Sequence, residues 1–177
     1  AGGNDKIGLE DGSLEEFVNS LDANLLHYFY MAKLTLPYLI QSKGNIINIS
    51  SKTALTGQGG TSGYVASKAA QLGLTREWAV DLLKYDIRVN AVIPAEVLTP
   101  HYEKWISSFE NSDQRMEEIR NNIPFQNRMT KESEIADMVK NCETCRPFLP
   151  SQAQEPLIPG TSATGPMTDV GSDLFQI

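Results

Sequence analysis

Residues 44–68, GNIINISSKTALTGQGGTSGYVASK, decide how this chain is read. The stretch opens as a strand: Ile46, Ile47 and Ile49 are β-branched and nearly continuous, as in a strand buried on both faces. It closes as a helix on which Tyr64 and Lys68 stand at i and i+4, so both side chains leave one face, one turn apart. Between them lies a Gly-rich loop, with Ser50 and Ser51 at the strand's end. A hydroxyl at a strand's carboxyl end, facing a Tyr and a Lys on the next helix, is how an open parallel α/β sheet places its chemistry.

Ser51, then Tyr64 thirteen residues on, then Lys68 four further and followed by small residues, resembles the Ser…Tyr-x-x-x-Lys signature of the short-chain dehydrogenase/reductase family. A bare YxxxK is a weak signal, because both residues are common on helices. The serine at this spacing, after a buried strand, makes the match specific. The resemblance implies a Rossmann-like doubly wound parallel sheet, with Ser51, Tyr64 and Lys68 as catalytic residues. DANLLHYF is similar to the family's D-x-N-L segment, which adds Asn24 to the catalytic set.

Other matches imply cofactor contacts. Ala1-Gly2 resembles the end of the Asn-Asn-Ala-Gly motif that follows the family's fourth strand. Pro94-Ala95 stands where the family has Pro-Gly, and Thr99 where it has a residue that bonds the nicotinamide carboxamide. With Val97, Tyr64 and Lys68 these form the implied cofactor-binding set, for NAD or NADP. The residue that discriminates the two cofactors would follow the second strand, which has no counterpart in this sequence. Ala95 restricts the backbone if a positive φ is needed there.

Length suggests a single domain, and 41% hydrophobic content is enough for a core. A net charge of −7 argues against nucleic acid or an anionic membrane as partner. No apolar run reaches the roughly 18 residues of a membrane span, so a cytoplasmic protein is the default. Two cysteines do not make a disulfide framework, and Cys142-Glu-Thr-Cys145 is half a zinc site without its second pair. No metal is expected.

Taken in order, Ser13-Leu14-Glu15-Glu16 is a capping box. Leu14, Phe17, Val18, Leu21, Leu25, Leu26 and Phe29 then give a helix its apolar face, toward Leu39 and bent at Pro37. A second helix spans 62–84. Its core stripe reads Val65, Leu72, Ala79 and Leu83; Tyr64, Lys68 and Thr75 face the site; Ala66, Ala70, Leu74 and Trp78 form a further apolar stripe. The extra stripe needs its own partner. In the resembling family these two helices pack against copies in a neighbouring subunit, so a homo-dimer or homo-tetramer through 13–39 and 62–84 is expected, with Ala70 and Trp78 outside the subunit's own core.

Ile87–Ile93 reads as the next parallel strand. Residues 96–123 look like a substrate lid, with Glu96, His101 and Trp105 as candidate substrate contacts. Helices are expected at Met116–Arg120 and at Lys131–Val139, the latter capped by Thr130. Beyond Val139 the pattern is lost: residues 140–177 hold five of the nine prolines, namely Pro147, Pro150, Pro156, Pro159 and Pro166, and no clear period. The expected division is a partial Rossmann-fold catalytic domain at 1–139 and a Pro-rich tail at 140–177, disordered or read in a shifted frame.

The chemistry implied is reversible oxidation of a secondary alcohol. A phenol ionises near pH 10, too high for a base at neutral pH, and an ammonium one turn away favours the phenolate. Ser51 would donate to the substrate oxygen, and Asn24 would hold a water linking Lys68 to solvent. SSKTALTGQGGTSGYVASKAAQLGLTREWAVDL and NAVIPAEVLTPHYEKWI are most similar to sugar-oxidising members of the family, of the L-fucose kind. The alternative is a non-catalytic module that only dimerises. No G-x-G-x-x-G or G-x-x-x-G-x-G turn occurs between a strand and a helix in the sequence, and Gly57, Gly59, Gly60 and Gly63, the alternative phosphate loop, lie beside the expected substrate, so the chain as given is expected to be inactive despite its catalytic residues.

Overall fold

The computed structural model describes residues 3–142. Its centre is a parallel pair, β1 (Asn45–Ile49) and β2 (Arg88–Val92), in register from Asn45 opposite Arg88 to Ile49 opposite Val92. Parallel neighbours require a long crossover. Here it is the short helix α3 (Thr53–Thr56) and the 20-residue helix α4 (Ser62–Asp81). A helical pair, α1 (Leu14–Leu21) and α2 (His27–Ser42), precedes β1. A second parallel pair, of two residues each, joins β3 (Val97–Leu98) to β4 (Thr130–Lys131). Between them lie α5 (Pro100–Ile106) and α6 (Ser112–Asn121), and α7 (Glu132–Cys142) follows. Strand, crossover helix and parallel strand in this order form the unit of an α/β sheet. Among the described residues β1 pairs on one side only.

The first helix starts where its capping box predicts. The Ser13 hydroxyl accepts from Glu16 N–H, and the Glu16 carboxylate accepts from Ser13 N–H. Pro37, the expected bend, does not end the helix. That proline lies inside α2, which continues to Ser42. The irregular stretch is a π turn at Asp22–Leu26, between α1 and α2, with Asn24 at its middle and buried. Such turns loosen the backbone ladder and often sit at functional places.

The second helix ends at Asp81, and Leu83–Tyr85 form a separate 3₁₀ turn, so 62–84 is one helix plus a turn. Its most buried side chains are not Val65, Leu72, Ala79 and Leu83. They are Gly63, Ser67, Lys68 and Gln71, with Ser67 and Gln71 wholly out of solvent. The reason is α1, which packs across this face of α4 and requires small side chains there. A Cβ on Gly63 would stand 2.6 Å from both Asp5 Oδ2 and Ser20 Cβ. Each polar group in the seam has a bonded partner: Ser67 Oγ donates to Gly63 O, and Gln71 Nε2 donates to Asn24 O.

Trp78 also departs from expectation. It packs on the cluster of Leu82, Ile87 and Val89, with Leu36, Leu39 and Ile46, and its ring lies 6.5 Å from that of Phe29. A charge at Trp78 would therefore enter the subunit's own core. Exposed large apolar side chains on α1 and α2 include Leu14, Val18, Phe29, Tyr30, Met31, Leu34 and Tyr38, and α4 exposes Val80.

Further along, the helix read at Met116–Arg120 spans Ser112–Asn121. Thr130 is not a helix cap; it lies in β4, and the Glu134 carboxylate accepts from Lys131 N–H. Glu134 is also clasped by both terminal nitrogens of Arg128, at 2.7 and 2.8 Å, which holds its pKa down to about 2. α7 runs three residues past Val139. The expectations for residues 143–177, and for Ala1 and Gly2, lie outside the described residues.

Two glycines on α4 give opposite expectations. Gly63→Ala is expected to destabilise the fold by about 1–3 kcal/mol, because its methyl collides with the α1 seam. A Cβ at Gly73 meets nothing within 4 Å, so Gly73→Ala is expected to stabilise by about 0.5–1 kcal/mol through helix propensity. Thermal melts of the two variants check this; equal shifts would contradict the close approach of α1.

Candidate active site

β1 delivers its polar residues to the start of α4. Ser50 N donates to Val92 O, which carries the ladder one residue past the strand. The two adjacent serines then part. Ser50 is buried, and its hydroxyl donates to the Lys68 carbonyl, pinning the strand end to α4. Ser51 remains half-buried; its Oγ accepts from Thr53 N at 3.3 Å and from Thr53 Oγ1 at 3.0 Å. A hydroxyl that accepts in this way still has its own proton to donate.

Lys68 is 7% exposed. Its Nζ donates to Ile49 O at 3.0 Å and to Gln71 Oε1 at 3.4 Å. It lies 5.7 Å from the ring centres of both Tyr64 and Tyr28. Burial pushes the Lys68 pKa below that of a free lysine. The Tyr28 hydroxyl donates to the same Ile49 carbonyl at 2.7 Å. Burial, followed by the neighbouring Tyr64, pushes the Tyr28 phenol up, so Tyr28 holds its proton and serves as a prop.

Asn24 joins this group through the π turn. Its Oδ1 accepts from Gly3 N at 2.8 Å, and its Nδ2 donates to Ser20 O and Ser20 Oγ. Its main-chain carbonyl accepts from Gln71 Nε2 at 2.9 Å. Gln71 thus touches both Lys68 and Asn24, with no exposed surface of its own. The chain continues from Ser20 Oγ to Asp5 Oδ2, and the same carboxylate oxygen accepts from Tyr64 N–H, both at 2.5 Å. Asp5 therefore caps the helix that carries Tyr64. Thr61, at the cap position by sequence, forms no such bond. A carboxylate at a helix N-terminus also complements the helix dipole.

Asn24, Ser51, Tyr64 and Lys68, named from the sequence, thus gather around the carboxyl end of β1. Asp5, Tyr28, Ser20 and Gln71 were not singled out. Gln71 is legible in hindsight as the polar residue three after Lys68 on a buried face. Asp5, 59 residues before Tyr64 in sequence, leaves no local signal.

The remaining named residues form a second group. Pro94 O accepts from Lys52 N at 2.9 Å. Ala95 is not among the residues with positive φ, so alanine fits there without strain. Val97 lies in β3, and the Thr99 hydroxyl accepts from Tyr102 N at 3.1 Å, capping α5. His101 is exposed on the first turn of α5. Trp105 is edge-on to Tyr102 and to Phe109, with centroid separations of 5.2 and 5.1 Å. Glu96 is ion-paired with Lys52 and accepts from the Tyr102 hydroxyl at 3.2 Å, so its carboxylate is already engaged.

Comparison with known proteins gives the family. The profile of the short chain dehydrogenase family matches residues 1–110. The L-fucose dehydrogenase of Bos taurus is 39% identical over 99 residues, which are 56% of this chain and 37% of that protein. The crystal structure of Cj0485 dehydrogenase superposes with a TM-score of 0.77 at 47% identity, over 78% of this chain and 54% of that one. The ligand-free aldohexose dehydrogenase of Thermoplasma acidophilum gives 0.72 at 33% identity, over 81% and 58%. The chain thus spans between about a third and three fifths of the length of these relatives. With a matched profile over more than half of its residues, and a Ser51, Tyr64 and Lys68 group seated at the end of a parallel strand, this chain belongs to the short-chain dehydrogenase family.

Proposed function

We propose that the protein to which this chain belongs is an NAD(P)-dependent oxidoreductase that interconverts a secondary alcohol, of a sugar such as L-fucose, and the carbonyl compound. The observation that carries this is the Lys68 ammonium, held among Tyr64, Tyr28 and the Ile49 carbonyl just before Ser51. The sugar class rests on the names of the relatives, L-fucose dehydrogenase and aldohexose dehydrogenase.

In this reading the Tyr64 oxygen takes the proton from the substrate hydroxyl, and the Lys68 charge favours the phenolate that does so. Ser51 donates to the substrate oxygen. Gln71 and the Asn24 carbonyl orient the lysine, and a water held by Asn24 would link it to solvent as a proton path. A nicotinamide, when bound, supplies the hydride acceptor that side chains lack. The residues present suit one: Lys68 Nζ has a third N–H beyond its two bonded partners, Tyr64 stands one turn before it on α4, and Pro94, Ala95, Val97 and Thr99 follow the end of β2. Ala1 and Gly2 belong to the proposed cofactor set by resemblance. The glycines between β1 and α4, Gly57, Gly59, Gly60 and Gly63, do not follow the G-x-G-x-x-G or G-x-x-x-G-x-G spacing of a dinucleotide turn, so activity is assigned to the full-length protein and the 177-residue chain by itself is proposed to be inactive.

Tyr64→Phe removes only the proton-transferring oxygen. In the full-length enzyme kcat is expected to fall by roughly 10²–10⁴-fold with cofactor affinity unchanged. Activity within a factor of ten of the parent would reject the assignment and leave the non-catalytic module as the better reading.

The buried lysine also predicts a pH dependence of stability. Its folded-state pKa lies below the unfolded value of 10.5. Below the folded pKa the charge is carried in both states and the burial cost is complete. As pH rises through the folded pKa toward 10.5, the native state sheds the proton first and the cost fades. The Tm of the parent is therefore expected to rise relative to that of Lys68→Met across this window. A constant difference would show that burial does not perturb Lys68.

We further propose self-association as a dimer or tetramer through α1, α2 and α4, because large apolar side chains on α2 stand in solvent, Leu34 at 69% exposure. Leu34→Glu is expected to yield a folded monomer whose Tm, unlike the parent's, does not depend on protein concentration. Light scattering that still shows an oligomer would exclude α2 from the interface.

A further inference from the structure

Lys52 and Glu96 come from different strand ends, 44 residues apart, and neither is used by the proton-transfer group. Lys52 immediately follows Ser51. Its main-chain N–H donates to Pro94 O at 2.9 Å, and its ammonium is ion-paired with the Glu96 carboxylate. The other oxygen of that carboxylate, Oε2, accepts from the Tyr102 hydroxyl at 3.2 Å, on the first turn of α5. The Glu96 carbonyl accepts from Thr130 N at 2.8 Å, beside the short ladder of β3 and β4. Three segments therefore meet at one residue: the turn carrying Ser51, the helix α5 that opens the lid segment, and the strand that closes it.

We propose that Glu96 and Lys52 form a latch that positions α5 against the Ser51 turn, with Glu96 setting the register of the lid rather than contacting substrate. The proposal deepens the dehydrogenase reading and rests on it for its kinetic consequence. Tyr102 belongs to the latch: burial and the adjacent carboxylate push its phenol up to about 12, so its proton stays available to Glu96. Beyond Tyr102, the edge-on series Tyr102, Trp105 and Phe109 carries the anchoring along α5 into the turn that follows. Thr99 caps the same helix through Tyr102 N–H, which holds the first turn in place. The pair is partly open to solvent, with 42% of the Lys52 side chain and 25% of that of Glu96 exposed, so it can release.

Glu96→Gln keeps the shape and the acceptor for Tyr102 but removes the charge that holds Lys52. Lys52→Met removes the other partner. Both are examined alone and together, with the exchange Lys52→Glu plus Glu96→Lys. The first readout needs no turnover: acrylamide quenching of Trp105 in a Trp78→Phe background, which leaves Trp105 as the remaining one of two tryptophans. Each single variant is expected to raise Trp105 quenching about twofold, the double to be no worse than either, and the exchange to restore most of the protection. The second readout is steady-state kinetics of the full-length enzyme with L-fucose. Each single variant is expected to lower kcat/KM by roughly 10–10²-fold, the scale of a misplaced catalytic group, without change in the cofactor KM.

Unchanged Trp105 quenching in both single variants would overturn the latch. So would additive losses in the double variant, or a raised sugar KM in Glu96→Gln with Lys52→Met silent, which would mark Glu96 as a substrate ligand. A parent enzyme that does not oxidise sugars would sink the proposed function alone, because quenching still decides the latch.

Discussion

The close approach of α1 to α4 is the constraint on which the rest depends. It requires a glycine at 63, since a Cβ there would stand 2.6 Å from Ser20 Cβ. It buries a seam that is polar rather than oily: Ser20, Asn24, Ser67, Lys68 and Gln71. A buried polar group left unpaired costs about 1–3 kcal/mol, so such a seam survives only if each member is bonded. The bonds from Asp5 through Ser20 to Asn24, and from Asn24 through Gln71 to Lys68, meet that condition. They also hold Asn24 and Lys68 in place.

The stable core lies at the opposite end of the strand pair. Leu82, Ile87 and Val89 are buried beneath Trp78, Leu36 and Ile46, and their contacts are apolar and ordinary. Division of labour follows along α4. Its C-terminal half anchors the helix through burial, while its N-terminal half carries the costly buried ammonium and the half-buried Tyr64. A desolvated lysine destabilises the native state, and proteins commonly retain such costs where function needs them. The irregular turn at Asp22–Leu26 belongs to the same half. It frees the Asn24 carbonyl from a regular ladder, so that Gln71 can reach it.

Glu96 shows how the two strand ends share one site. The turn after β1 presents the hydroxyl of Ser51, and the segment after β2 presents the wall opposite it. In an open parallel sheet both emerge on the same edge, where ligands bind. A carboxylate placed between them has a choice between substrate and protein, and here Lys52 and Tyr102 occupy it, while the Glu96 main-chain carbonyl accepts from Thr130 N–H.

Local pattern determined much of this protein. The β-branched run of Ile46, Ile47 and Ile49, the capping box at Ser13, and the spacing of Ser51, Tyr64 and Lys68 were readable because each depends on residues within a few turns of one another. They sufficed for the fold class and for the family. Tertiary structure decided what depends on contacts between distant segments. Asp5 became the cap of the Tyr64 helix, Trp78 packed on the core cluster, and Gln71 reached from Lys68 to Asn24. The apolar stripes of α4 misled for the same reason. Periodicity says which residues share a face, but not which neighbour covers it, and α1 chose the face with the smallest side chains because only there could two backbones come close.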